Sequence, residues 1–164
     1  MELRQATEED WPRIWPIFRD IVRKGDTYTY DPAISEEAAL GIWMSAPRRT
    51  YICTDGADTL GTYYIKTNQG GGGAHVCNCG YMVAAEARGK GLARKMCLHS
   101  QDVARELGYR AMQFNFVVSS NKAAVHLWED LGFDTVGRLP QAFEHPEHGL
   151  VDALVMYKWL GDAD

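Results

Sequence analysis

Residues 83–93 read Val-Ala-Ala-Glu-Ala-Arg-Gly-Lys-Gly-Leu-Ala. Two glycines alternate with two cations, after a strand-like run and beside the start of a long helical one. A helix N-terminus presents backbone N–H groups without partners at the positive end of the helix dipole, which suits it to hold phosphate. Gly89 and Gly91 let the backbone close in on an anion, and Arg88, Lys90, Arg94 and Lys95 add positive charge. A pyrophosphate is the natural ligand. A dinucleotide fingerprint would need glycine at position 94, which is Arg94, and no Gly-x4-Gly-Lys-Ser/Thr stretch occurs. The plain alternative is a tight turn with a solvated basic face.

The elements that must position this turn follow from periodicity and punctuation. Glu2–Gln5 reads as a short strand, and Thr7-Glu-Glu-Asp10 has the form of a capping box. Ile14, Ile17, Phe18, Ile21 and Val22 form a helical stripe ended by Gly25, with a kink or restart expected at Pro16. An aromatic loop, Asp26–Pro32, leads to a second helix capped by Ser35 and ending near Pro47. Thr50–Thr54 and Thr59–Lys66 flank an Asp-Gly turn and read as a hairpin. His75–Val83 is a strand, Arg88–Leu107 a helix, Arg110–Val118 a strand and Asn121–Leu131 a helix. Thr135–Leu139 and Leu150–Trp159 are the closing strands, joined by a His-rich loop. The order predicts one mixed α/β domain over residues 1–164.

A second constellation is Asn121-Lys-Ala-Ala124-Val-His-Leu127-Trp128-Glu-Asp-Leu131-Gly132-Phe133. Arg88-x-x-Gly91-x-Ala93 after a strand ending in Val83 resembles the coenzyme A signature of the GNAT superfamily of N-acetyltransferases. The Asn121–Phe133 stretch resembles that superfamily's second motif, Asn-x-x-Ala-x-x-Leu-Tyr-x-x-x-Gly-Phe, in the usual order and separation. Thr27–Pro32 and the ending Ala142-Phe143-Glu144-His145…Val151-Asp152 are similar to the phosphinothricin acetyltransferase-like branch.

The resemblance implies a central, mostly antiparallel twisted sheet, splayed between its fourth and fifth strands, with helices on both faces. It implies acetyl-CoA as co-substrate. Met82 and Val83 would pair with pantetheine through their backbone, Arg88, Gly89, Lys90, Gly91, Leu92 and Ala93 would cradle pyrophosphate, and Asn121 would touch the coenzyme arm. A backbone N–H at the splay would stabilise the oxyanion that forms as an amine attacks. The chain departs from the pattern twice. Trp128 stands where the family places an acidic Tyr, and Asn78 stands where the branch commonly has Glu. An indole is not a usable acid and an amide is not a base. Proton transfer is then left to Tyr81, His145, His148, Asp152 or water, with Asn78 near the site and Cys79 a neighbour. Tyr28, Tyr30 and Trp128 are candidate walls of the acceptor pocket, and only one of the consecutive Tyr63 and Tyr64 can face it.

The composition bounds the alternatives. At 164 residues the chain buries ~70% of its unfolded surface, enough for a core without disulfides or metal. Its net charge of −5 argues against non-specific nucleic-acid binding. Cys53, Cys77, Cys79 and Cys97 show no zinc spacing and read as buried free thiols. His145 and His148, three apart across Pro146, match no metal-ligand spacing. No apolar run reaches the ~20 residues of a membrane helix, and the expected location is the cytoplasm. Three functions stand open: N-acetylation of a small amine, an amino acid or analogue among the candidates, in a ternary complex; a non-catalytic acyl-CoA-binding module; and protein or peptide acetylation. A homodimer is expected from the branch resemblance.

Overall fold

The computed structural model describes residues 1–161, so the last three residues of the expected domain lie outside it. The strands are β1 (Glu2–Gln5), β2 (Arg49–Asp55), β3 (Asp58–Thr67), β4 (Val76–Val83), β5 (Ala111–Val118), β6 (Asp134–His145) and β7 (Gly149–Trp159). The helices are α1 (Trp11–Lys24), α2 (Glu36–Leu40), α3 (Leu92–Glu106) and α4 (Lys122–Asp130). The sheet order is β1-β2-β3-β4-β5-β7-β6. Every neighbouring pair is antiparallel except β4 and β5, which run parallel.

Alternation along the central strands assigns the helices to two faces. Thr62 and Tyr64 of β3 meet Trp43, just beyond α2. Tyr63, between them, points the other way and meets His99 of α3. Phe114 of β5 packs on Trp128 of α4. Both faces bury large side chains: Ile14, Phe18 and Trp43 on one, Tyr63, Met96 and Met112 on the other. Among the described residues no helix is long and apolar enough to cross a membrane.

Four local expectations change. The helix expected from Arg88 starts at Leu92, because Gly89 and Gly91 have φ of 74° and 75°, left-handed values outside a right-handed helix. The second helix is α-helical only over Glu36–Leu40 and then widens, with Ala46 N–H donating to Gly41 C=O. Ser35 does cap it, its Oγ accepting from Ala38 N–H at 3.1 Å. α1 runs through Pro16 without a restart. The N–H that Pro16 lacks would have paired with the carbonyl of Pro12 in the exposed first turn. β6 continues past Pro140, because a bulge there absorbs the proline. Gln141 takes φ of 49° in that bulge and donates its N–H to Asp152 Oδ1 at 2.9 Å.

The capping-box aspartate ties β1 to α1. Asp10 is 5% exposed and accepts two bonds from Arg4, at 2.8 and 2.7 Å, and one from Thr7 N–H at 2.8 Å. The Arg4 bonds lower its pKa from 3.8 to about 2. The stability this provides is present above the unfolded pKa and is lost as pH falls toward the folded one. Asp10→Asn should cost roughly 2 kcal/mol at neutral pH in a denaturant titration, and the gap to the unaltered protein should close between about pH 4 and 2. A gap that persists at the acid end would place the cost in packing instead.

Candidate active site

β4 and β5 pair only through Val76↔Ala111 and Cys77↔Met112, and then part. Asn78 marks the point of separation. Its Nδ2 donates to Gln113 C=O of β5 at 2.9 Å, and its Oδ1 accepts from the Tyr64 hydroxyl at 2.9 Å. The side chain spans the gap where a ladder bond would have been. Both ends of this 7%-exposed amide are therefore engaged in holding the fork.

The fork opens into a cleft of about 890 Å³. One end is the start of α3. Ala87 and Arg88 donate their N–H groups to Ala84 and Ala85, and Lys95 N–H donates to Gly91 C=O. Between these bonds lie the amides of residues 89–94, the unpaired start of the helix. A side chain at Gly89 or Gly91 would meet nothing within 4 Å, so the space beside these amides is open. Arg88, Gly89, Gly91, Leu92 and Ala93 line the cleft, together with Met82, Val83 and Asn121, while Lys90 does not. Arg94 lines it while ion-paired to Asp130 of α4, and Lys95 Nζ is spent on Met1 C=O at 2.9 Å. Arg88 keeps no carboxylate partner among the described residues. The arrangement suits a phosphorylated ligand: free amides, a helix dipole and an uncommitted guanidinium.

The other end lies on the opposite face of the sheet. Tyr28, Tyr30, Tyr64, Lys66 and Phe116 line it with Asn78 and Gly80. Tyr28 and Tyr30 stack at 5.5 Å, and Tyr30 stacks in turn on Phe18. The Tyr28 hydroxyl donates to Tyr81 C=O at 2.8 Å, which fastens the aromatic loop to β4. Burial raises the pKa of Tyr28, Tyr30 and Tyr64, so all three stay neutral phenols. Tyr64, and not Tyr63, is the tyrosine of β3 that faces the cleft.

The candidate proton carriers, and Asn78 beside them, separate here. Tyr81 lines the floor, but its hydroxyl is held by Ser100 Oγ of α3 at 2.7 Å, and burial keeps its pKa well above 10.0. Asn78 is spent as described. His145 and Asp152 do not line the cleft. His145 borders a smaller pocket with Arg23 and Pro32, and its Nδ1 accepts from the N–H groups of Glu147 and His148 in the β6–β7 turn. Asp152 anchors the β6 bulge, accepting from Gln141 N–H and from Arg138, two contacts that lower its pKa. His148 stacks on His145 in the same turn. Trp128, 8% exposed, packs on Tyr81 and Phe114 as a wall. Cys79 lines the floor, with burial raising its thiol pKa. Sequence reasoning passed over Lys66, Gly80 and Phe116. Alternation from Tyr64 would have placed Lys66 beside it, but nothing local marks the other two.

The family model for the acetyltransferase (GNAT) family matches residues 2–133. The chain is similar along 96% of its length to a GCN5-related N-acetyltransferase from Kribbella flavida, at 45% identity, 96% coverage of that chain and a TM-score of 0.92. It belongs to the GNAT family of acetyltransferases. A putative acetyltransferase from Salmonella typhimurium, solved with its cofactor acetyl-CoA, shares the fold at 21% identity and a TM-score of 0.86, covering 100% of this chain and 96% of that one. N-acetyltransferase aca1 of Schizosaccharomyces pombe is 35% identical over 97 residues, 58% of this chain. The chain spans about half of that relative's length, since the match covers 46% of aca1.

Proposed function

We propose that the chain transfers an acetyl group from acetyl-CoA to the amine of a small molecule, by direct attack within a ternary complex. One observation carries this reading: the unpaired amides after Arg88 and the β4–β5 fork open into the same cleft. A phosphorylated thioester lying along it would place its phosphates on residues 89–93 and its pantetheine beside the freed backbone of Met82 and Val83. Arg88 and Asn121 would hold it from the two sides. Backbone N–H groups released by the fork would stabilise the oxyanion of the tetrahedral intermediate. Holding both reactants in one cleft supplies much of the rate by removing the entropy of their encounter, of order 7–11 kcal/mol in well-oriented systems.

The small-molecule reading rests on the Tyr28–Tyr30 loop, which is tied to β4 and lines the acceptor end. That loop also carries the likeness to the phosphinothricin acetyltransferase-like branch. A peptide acceptor would need an open groove instead. The test is to incubate the protein with acetyl-CoA and a panel of amines and to follow free thiol. Amine-dependent thiol release is expected. Coenzyme uptake without release for any amine would leave a binding module.

A further inference from the structure

The acceptor end of the cleft is built without an uncommitted base. Among the described residues lining the cleft there is no histidine or glutamate, and the carboxylates reduce to Asp26, with Lys24 Nζ 3.8 Å away. The amide of Asn78 takes no proton. The tyrosines are neutral phenols, unable to act as phenolate bases. An ammonium ion entering this end would find one carboxylate, Asp26, and that one is shared with Lys24.

Nor is the end shaped to receive a cation. Aromatic walls can bind ammonium groups through their faces. Here the chain fills that role itself, for Lys66 Nζ lies 5.2 Å from the centre of the Tyr64 ring. No carboxylate meets Lys66 among the described residues. Its charge repels an incoming ammonium and attracts an anion. Tyr30 is stacked between Tyr28 and Phe18, and the remaining surfaces of Tyr28 and Phe116 favour an aromatic ring by stacking and edge contacts.

We infer that the acceptor is an aromatic amine bearing an anionic group, with its nitrogen joined directly to the ring and uncharged at neutral pH. This rests on acetyl transfer as the reaction and names its substrate class. The anion meets Lys66 and the ring lies among the tyrosines. The nitrogen lone pair forms the N–C bond to the thioester carbonyl carbon. Collapse of the intermediate breaks the C–S bond, and the electron pair leaves on sulfur. The nitrogen of the intermediate is strongly acidic, so its proton passes to the departing thiolate directly or through water. The products are one N-aryl acetamide and one coenzyme A thiol.

The test compares 4-aminobenzoate with 4-(aminomethyl)benzoate, which differ by one methylene but greatly in amine basicity, and includes aniline. Thiol release is followed against pH, with coenzyme binding measured separately. The inference expects kcat/KM for 4-aminobenzoate to stay flat from roughly pH 6 to 9 and to exceed that of the benzylic amine about tenfold at neutral pH. Lys66→Gln should raise KM about tenfold for 4-aminobenzoate and leave aniline unchanged. Preference for the benzylic amine or for aliphatic amines would overturn the inference and leave acetyl transfer standing. Coenzyme bound with every amine silent would remove both. Equal effects of Lys66→Gln on aniline and 4-aminobenzoate would remove the anionic group from the assignment.

Discussion

Gly91→Glu should weaken coenzyme A binding about a hundredfold or more, a loss of roughly 3 kcal/mol. Two physical effects combine. Gly91 precedes the first residue of α3 at φ of 75°, where any residue with a Cβ is strained by about 1 kcal/mol. The larger effect is charge, because a carboxylate beside the amides of residues 89–93 would compete for them and repel the pyrophosphate. The space is there for it, since nothing lies within 4 Å of where a Cβ would sit. Gly91→Ala separates the two effects. It carries the backbone strain without the charge, so it should keep affinity within about tenfold. Calorimetry on both variants, with circular dichroism to confirm folding, makes the measurement. Undiminished binding by the Glu variant would move the phosphate site elsewhere.

Gly80→Ala should damage the acceptor end and spare the coenzyme end. The added methyl would lie 2.6 Å from Cε1 of the Tyr64 ring, its partner across β3 and β4. That ring can retreat only into the cleft it lines. Its hydroxyl is bonded to Asn78, and the ring meets Trp43 in a T-shaped contact at 4.9 Å, with Trp43 fully buried. Overpacking of this kind costs about 1–3 kcal/mol of stability. It also pushes on the Tyr64–Asn78–Gln113 chain that holds the fork open. The expected outcome is a lower melting temperature and a KM for the amine raised about tenfold or more, with coenzyme affinity little changed. A normal amine KM in a destabilised protein would show that Tyr64 is core rather than pocket wall.

The coenzyme end was far more legible in the sequence than the acceptor end, for a physical reason. The phosphate site proposed here depends on backbone geometry, and glycines 89 and 91 between cations announce that geometry locally. Even so, local signals could not separate Lys90, off the cleft, from Arg88, within it. Nor could they show that Arg94 and Lys95 are committed to Asp130 and Met1. The acceptor end is assembled by pairing between strands. That Gly80 lies opposite Tyr64, and Lys66 opposite Asn78, is set by β3–β4 register. His145 and Asp152 lie off the cleft, which histidine and aspartate near a strand end do not reveal from sequence. Both bond within the β6–β7 hairpin, one to the turn and the other to the Gln141 bulge. Periodicity located nearly every element, and the misplaced boundaries fell where special backbone intervened, at Gly89–Gly91, at Pro140 and where the second helix widens after Leu40.

The placement of coenzyme phosphates on the start of α3 is best tested by following backbone amide resonances while acetyl-CoA is added. Saturable shifts and slowed hydrogen exchange are expected at Gly89, Gly91, Leu92 and Ala93, with smaller changes along Met82 and Val83. Resonances that stay still at those positions, in folded protein at high ligand concentration, would contradict the site and the chemistry assigned to it.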